Sequence, residues 1–169
     1  MVTRPEVGTG DVRANLAASL AKASGAQGMV LGQALDIAAE TSIVPLSLAQ
    51  VTTLQQGKTG ALIEWSATVG ARMSDSDLAP LSTYSKALGL AFQIADDILD
   101  VEGDAATIGK ATGKDAGAGK ATFVSLLGLD EAKRRASQLV ESASDALSVY
   151  GNDATALRDA AAFVVARKN

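Results

Sequence analysis

The residues best suited to chemistry in this chain are the acids of "FQIADDILDVEGD", residues 92–104. Three aspartates, Asp96, Asp97 and Asp100, stand among large apolar side chains. On an α-helix, with about 100° between successive residues, Asp96, Asp100 and Gln93 fall within about 60° of one another, and Asp97 lies about 100° from Asp96. The opposite side carries the apolar residues Ile94, Ile98 and Val101. The pattern predicts a helix with one carboxylate face and one core face.

A carboxylate face of this kind favours a divalent cation. Like charges at i,i+4, such as Asp96 and Asp100, cost a few tenths of a kcal/mol on a solvated helix, and a cation offsets that cost. Magnesium prefers oxygen ligands and is usually held by one or two carboxylates together with phosphate oxygens. The cluster therefore predicts Mg²⁺ and a phosphorylated ligand. The alternative is a solvated acidic helix face.

The segment after the acids, "GDAATIGKATGKDAGAGKAT", is rich in glycine and lysine. Lys110, Lys114 and Lys120 could bind phosphate as point charges, and neighbouring glycines would let the backbone approach it closely. The segment does not match a P-loop, because Lys114 stands where the first glycine is needed and Ala121 follows Lys120. We expect a functional loop of about twenty residues, and the alternative is a flexible solvated linker.

Two further polar positions interrupt apolar helices. Lys58 lies between Gly57 and Gly60 in "GKTGALI", where the ordinary interpretation is a surface lysine with its stem on apolar neighbours. Gln33 and Asp36 are i,i+3 neighbours in "GMVLGQALDI", where the ordinary interpretation is a satisfied polar pair.

The elements that must position these residues are predicted to be helices throughout. Alanine and leucine dominate, the strict alternation of strands is absent, and helix-capping residues or glycines separate the apolar-periodic segments. Asp11 and Ser47 are predicted N-caps, and the glycines at 57 and 60 interrupt the third helix without ending it. The predicted helices are 11–23, 29–40, 48–73, a long one ending near Asp100, 130–149 and 153–167.

The composition excludes several classes of function. Without histidine or cysteine there is no thiolate or imidazole metal site and no Ser-His or Cys-His mechanism. The net charge of −4 argues against a nucleic-acid partner. No apolar run is long enough for a membrane span, and "MVTRPEVGTGD" is not a secretion signal, so we expect a cytoplasmic protein.

Taken together, these segments resemble the trans-prenyl diphosphate synthases, in particular the bacterial farnesyl and geranylgeranyl diphosphate synthases. The resemblance rests on "GMVLGQALDIAAE", "KTGALIEWSATVGA", the stretch from "GLAFQIADDILD" to "LDEAKRRA", and the closing "ARKN". It implies an all-α isoprenoid-synthase fold around a central cavity. It also implies a Mg²⁺-dependent head-to-tail condensation of an allylic diphosphate with isopentenyl diphosphate. Class I terpene cyclases share the DDxxD pattern, but "KTG" and the paired "GK" segments fit chain elongation better.

The resemblance assigns roles to individual residues. The second aspartate-rich metal motif would be Asp96, Asp97 and Asp100, with Asp115 acting through water. The diphosphate-binding cations would be Lys58, Lys110, Lys120 and the tail residues Arg167 and Lys168. Thr59 and Gln93 would face the reacting atoms. The cavity wall would include Gln33, Asp36 and Phe92.

The resemblance is to half of such an enzyme. Family members are roughly twice as long and carry a first aspartate-rich motif, whereas Asp96–Asp97 is the only adjacent aspartate pair here. We therefore expect residues 1–169 to supply the C-terminal half of a polyprenyl synthase domain, inactive alone. It would be a shortened piece of a full enzyme or, alternatively, a non-catalytic Mg-diphosphate-binding or regulatory subunit. A half-bundle should expose a broad apolar face, and we expect a homodimer.

Overall fold

The computed structural model describes residues 2–108 and 121–167, and every regular element in those ranges is helical. The all-α prediction is therefore confirmed. A 3₁₀ turn, Pro5–Val7, precedes the first helix, a π-helix, Gln56–Gly60, joins α3 to α4, and a 3₁₀ segment, Ser148–Ala154, joins α7 to α8. The α-helices are α1 Gly10–Ser24, α2 Met29–Glu40, α3 Leu48–Gln55, α4 Ala61–Met73, α5 Ala79–Ile108, α6 Phe123–Leu127, α7 Leu129–Ala146 and α8 Thr155–Ala166.

Helix α5 lies at the centre and packs against α4, α7, α8 and the π-helix. Small residues at steps of four, Ala87, Ala91 and Ala95, are buried on α5, and α7 buries Ala136 and Ala143. Alanines at these positions let neighbouring helix axes approach closely, since little side chain separates them. The central helix therefore packs closely against its neighbours through these alanines.

The core face of α5 fixes the direction of its acids. Ile94 and Ile98 are buried in one cluster with Phe123 of α6 and Val51 of α3. Val101, predicted to lie on the same face, is 44% exposed, so that part of the prediction is wrong. Near Val101 the residue of α5 that faces α7 is Glu102, whose carboxylate pairs with Lys133 of α7. Val101 lies about 100° round the helix from Glu102 and so does not point toward α7.

Several helix ends differ from the predicted ones. Thr9, not Asp11, accepts the Val12 N–H at the start of α1, so the N-cap lies two residues before the predicted one. Helix α5 continues past Asp100 to Ile108, into the segment predicted as loop. The helix predicted over 130–149 ends earlier, at Ala146. The helix predicted over 153–167 begins later, at Thr155, and the 3₁₀ segment lies between them.

The short helix α6 was not predicted. A capping box starts it: the Thr122 hydroxyl accepts the Ser125 N–H and the Ser125 hydroxyl accepts the Thr122 N–H. The usual sequence signal of a capping box has glutamate or glutamine at the third helical position. Because α6 has Ser125 there, the sequence did not indicate its start. Ser47 does cap α3 as predicted, with Gln50 completing its box.

The π-helix lies between α2 and α5 and contacts both through glycines. A Cβ at Gly32 of α2 would lie 2.0 Å from the backbone nitrogen of Lys58. A Cβ at Gly57 would lie 3.1 Å from the Cα of Gly32. On the other side, a Cβ at Gly89 of α5 would lie 3.4 Å from the Gly60 Cα. Glycine therefore permits backbone-to-backbone contact on both sides of this segment, which confirms an interruption that does not end the helical run.

Helix α2 has four apolar side chains that are open. Val30, Leu31, Leu35 and Ile37 are 41–57% exposed. We call these four residues the α2 stripe. Exposed contiguous apolar surface of this kind marks an interaction site, as expected for half of a bundle. Among the described helices, none is long and apolar enough to cross a membrane.

Candidate functional site

Asp96 lies on the open side of α5 and faces a cation from the end of the chain. Its Oδ1 accepts a hydrogen bond from Arg167, the residue that follows α8. The same guanidinium lies 4.3 Å from the centre of the Phe92 ring, one turn earlier on α5. The arginine side chain is 19% exposed and the aspartate 41%. Three predicted site residues are thus brought together by α5 and α8.

Asp97 has a different neighbour. Its Oδ2 accepts the backbone N–H of Phe123, the first residue of α6, at 2.7 Å. Phe123 is fully buried beside Ile94 and Ile98. Charge-assisted hydrogen bonds at a helix start are among the stronger ones, so Asp97 fastens α6 to α5.

The remaining polar residues of the α5 face are more open. Gln93 is half-buried and Asp100 is exposed. Within the described part of the chain, no three carboxylates come close enough to hold a metal ion by themselves. The donor set nevertheless suits magnesium, which takes one or two carboxylates and completes its shell with water and phosphate. Arg167 already places a positive charge against Asp96, where a cation would bind.

The second cluster joins α2 to the π-helix. The Lys58 Nζ donates to the Asp36 Oδ2 at 2.7 Å, and the aspartate side chain is only 4% exposed. Lys58 is therefore in an ion pair with a buried aspartate and is not a solvated surface lysine, while Gln33, the predicted partner of Asp36, is exposed on α2. Thr59 follows Lys58 in the π-helix and is half-buried. Single π-turns occur frequently at functional sites.

Four predicted site residues lie outside the described residues. They are Lys110, Asp115, Lys120 and Lys168. The predicted loop that carries three of them is therefore described only up to Ile108 and from Ala121.

A groove that the sequence did not indicate adjoins the π-helix and α5. Its volume is about 340 Å³, and its walls include Gly60, Gly89 and Leu90. At its polar side the Glu64 carboxylate accepts from the Ser82 hydroxyl and pairs with Lys86 at 3.5 Å. Lys86 precedes Gln93 by seven residues, two helical turns, and this spacing was the signal that would have placed both on one face of α5.

Fold and site together define an all-α protein with a carboxylate face on its central helix and two basic side chains held by acids nearby. This class of site suits a cation and a polyanion bound side by side. The chain belongs to the polyprenyl synthetase family: the family model "Polyprenyl synthetase" matches residues 13–156. The sequence-based resemblance is confirmed.

Similar proteins agree with this assignment. The farnesyl diphosphate synthase of Escherichia coli K12 is 42% identical over 96% of this chain and 56% of its own length. The crystal structure of an FPP/GFPP synthase from Zymomonas mobilis superposes with a TM-score of 0.86 at 44% identity, covering 97% of this chain and 55% of that one. A Helicobacter pylori geranyltransferase, solved with magnesium and isoprenyl diphosphate, gives a TM-score of 0.71 at 32% identity, covering 94% of this chain and 52% of that one. The chain thus has the isoprenoid-synthase helical fold and spans about half the length of these relatives.

Proposed function

We propose that this chain supplies one wall of a prenyltransferase site that joins an allylic diphosphate to isopentenyl diphosphate. In this reaction the allylic C–O bond breaks and the diphosphate leaves with the electron pair. The double bond of isopentenyl diphosphate then forms the new C–C bond, and the resulting cation loses a proton to the released diphosphate. The observation that carries the proposal is Asp96 on the open face of α5 with a cation against it, in a chain of the polyprenyl synthetase family.

The chain's own residues would serve the diphosphates. Lys58 presents an ammonium for the leaving diphosphate, and Thr59 and Gln93 lie on the elements that carry Lys58 and Asp96. Arg167, which follows α8, and Lys168 would bind the diphosphate of the second substrate. Fixed positive charges stabilise the negative charge that grows on the leaving oxygens. Lys110 and Lys120 are proposed for the same role.

Magnesium held by Asp96 and Asp100, with Asp97 and a water-mediated Asp115, would supply the larger part of that charge stabilisation. The Helicobacter pylori relative solved with magnesium and isoprenyl diphosphate supports this assignment. The chain's contribution is to hold its carboxylates on one rigid helix. Phe92, Gln33 and Asp36 are proposed as wall residues, of which Phe92 offers an aromatic surface beside Asp96.

A second function has its own support. Because Asp96–Asp97 is the only adjacent aspartate pair in the chain, the chain alone would bind Mg-diphosphate without turning it over. It would then act as a binding or regulatory subunit. We propose catalysis only when the facing aspartate motif is supplied by further protein, and a homodimer formed through the α2 stripe.

The test measures binding and turnover separately. Calorimetry of the chain with inorganic pyrophosphate and Mg²⁺ should show binding that Asp96→Asn weakens by about tenfold or more, because one charged ligand to the cation is lost. Asp11→Asn, an exposed aspartate on α1, is the matched control and should leave the affinity unchanged. Equal weakening by both variants would contradict the assigned role of Asp96.

Turnover is followed with labelled isopentenyl diphosphate and geranyl diphosphate. The chain alone should give no prenyl product. The chain fused behind the N-terminal part of the Escherichia coli relative, which this chain does not cover, should give product that EDTA abolishes. Product formation by the chain alone would contradict the proposal that its site is one wall of two.

A further inference from the structure

The backbone of Lys58 is fixed by close contact with α2. Its backbone nitrogen lies so close to Gly32 that a Cβ on the glycine would be 2.0 Å away. The next contact along the π-helix, Gly60 against Gly89, joins the segment to α5 two turns before Asp96. The lysine backbone is therefore fixed relative to both helices.

The side chain of Lys58 is held by Asp36, one turn after Gly32 on the same face of α2. The Nζ–Oδ2 distance is 2.7 Å, and the lysine side chain is 35% exposed while the aspartate is 4% exposed. The buried partner has little freedom, and the lysine ammonium, which has three N–H donors, uses one of them on Asp36 while its side chain stays partly exposed. A lysine left unpaired would sample many rotamers, and a ligand would have to order it on binding.

We propose that Asp36 is a positioning residue, which holds the Lys58 ammonium in the orientation that receives a diphosphate. This inference rests on the proposed function, in which Lys58 binds the leaving diphosphate, and deepens it by giving the lysine a dedicated partner. Asp36 acts through Lys58.

The sign of one measurement separates positioning from simple electrostatics. Removing a negative charge beside an anion site should, by Coulomb's law alone, strengthen anion binding. If Asp36 positions Lys58, Asp36→Asn should instead weaken binding of Mg²⁺–pyrophosphate to this chain by about three- to tenfold, because the freed lysine loses rotamer entropy on binding. Asp11→Asn removes the same charge from exposed α1 and should have no effect.

Two further variants keep the inference apart from the proposed function. Lys58→Gln should weaken pyrophosphate binding, and Asp36→Asn in the Lys58→Gln background should add nothing. If Lys58→Gln leaves the affinity unchanged, the proposed role of Lys58 fails. If Lys58→Gln weakens binding while Asp36→Asn strengthens it or leaves it unchanged, the positioning role alone is overturned.

Lys58 mobility can also be measured without a ligand, so this test does not depend on the strength of pyrophosphate binding. The Lys58 ε-methylene signal in a ¹H–¹³C spectrum, assigned by its loss in Lys58→Gln, should relax as an ordered group in the parent chain. It should relax as a mobile one in Asp36→Asn, with other lysine signals and the circular dichroism spectrum retained. A Lys58 signal that is equally mobile in both proteins would overturn the inference.

Discussion

At the scale of residues, the adjacent aspartates Asp96 and Asp97 have different partners. Asp96 points to the open side of α5 and meets Arg167, while Asp97 fastens the start of α6 through the Phe123 N–H. The division follows from the rotation of about 100° between neighbours on a helix. The sequence predicted correctly that Ile94 and Ile98 face the core. It did not predict the separate partners of the two aspartates, because Arg167 is 71 positions from Asp96 and Phe123 is 26 from Asp97.

Tyr84 is a buried residue whose role is structural and testable. Its hydroxyl donates to the Leu157 carbonyl at 2.8 Å, and burial raises the pKa of the phenol above its ordinary value of 10.0. Tyr84→Phe should lower the free energy of unfolding at neutral pH by about 1 kcal/mol, the usual net value of one hydrogen bond. Chemical denaturation with circular dichroism measures the change.

The raised pKa of Tyr84 also predicts a pH dependence. The unfolded phenol ionises near pH 10 and the folded one only at higher pH, so this contribution to stability is fully present below pH 10 and is lost as the pH rises through the folded pKa. The parent chain should therefore lose stability more steeply than Tyr84→Phe as the pH rises above 10. Parallel slopes for the two proteins would contradict this assignment.

At the scale of elements, the π-helix decides where Lys58 lies. The glycines at 57 and 60 predicted an interruption of the helix. In the structure these glycines let the π-helix contact α2 on one side and α5 on the other. The Lys58–Asp36 pair itself was beyond sequence reasoning, since 22 positions separate the partners and only the helix crossing brings them together. Helix periodicity reports which face is apolar, and not which helix that face will meet.

A glycine substitution tests this crossing. Gly32→Ala should destabilise the chain by about 1–3 kcal/mol or more, because its Cβ would lie 2.0 Å from backbone that has no flexible end to move. Gly70→Ala on α4 is the matched control, since nothing lies within 4 Å of its Cβ. Alanine is the better helix former, so Gly70→Ala should be neutral or stabilising by up to about 1 kcal/mol. Urea denaturation of both variants gives the comparison, and similar losses in the two would contradict the close contact.

At the scale of the whole molecule, the outstanding feature is the α2 stripe. Val30, Leu31, Leu35 and Ile37 are exposed, while Gly32 and Asp36 of the same helix are buried against the π-helix. A groove of about 470 Å³ continues this apolar surface between α2 and α3, where Leu35, Leu46 and Leu54 contribute to its walls. Sequence length relative to the family predicted an apolar face, but only the packing of α2 shows which one it is.

Association through the stripe is testable with one matched pair of variants. The parent chain should form a dimer in light scattering, and Leu31→Lys should weaken it by about tenfold or more, because burying an ammonium in an apolar interface is costly. Val149→Lys places the same charge at another exposed apolar position, on the 3₁₀ segment between α7 and α8, and should leave the dimer unchanged. A monomeric parent chain, or equal dissociation of both variants, would contradict the assigned interface.

The contact between Arg167 and Asp96 has a practical consequence for anyone who purifies this protein. The chain contains no histidine, so imidazole ligands near Asp96 can come only from what is added to it. Because Arg167 lies against Asp96 on α5, a polyhistidine tag added a few residues after Arg167 would be within reach of the acidic face and would offer nickel or zinc a set of nitrogen donors. A tag placed before Met1 and then cleaved would leave the metal preference of the aspartates to be measured as their own.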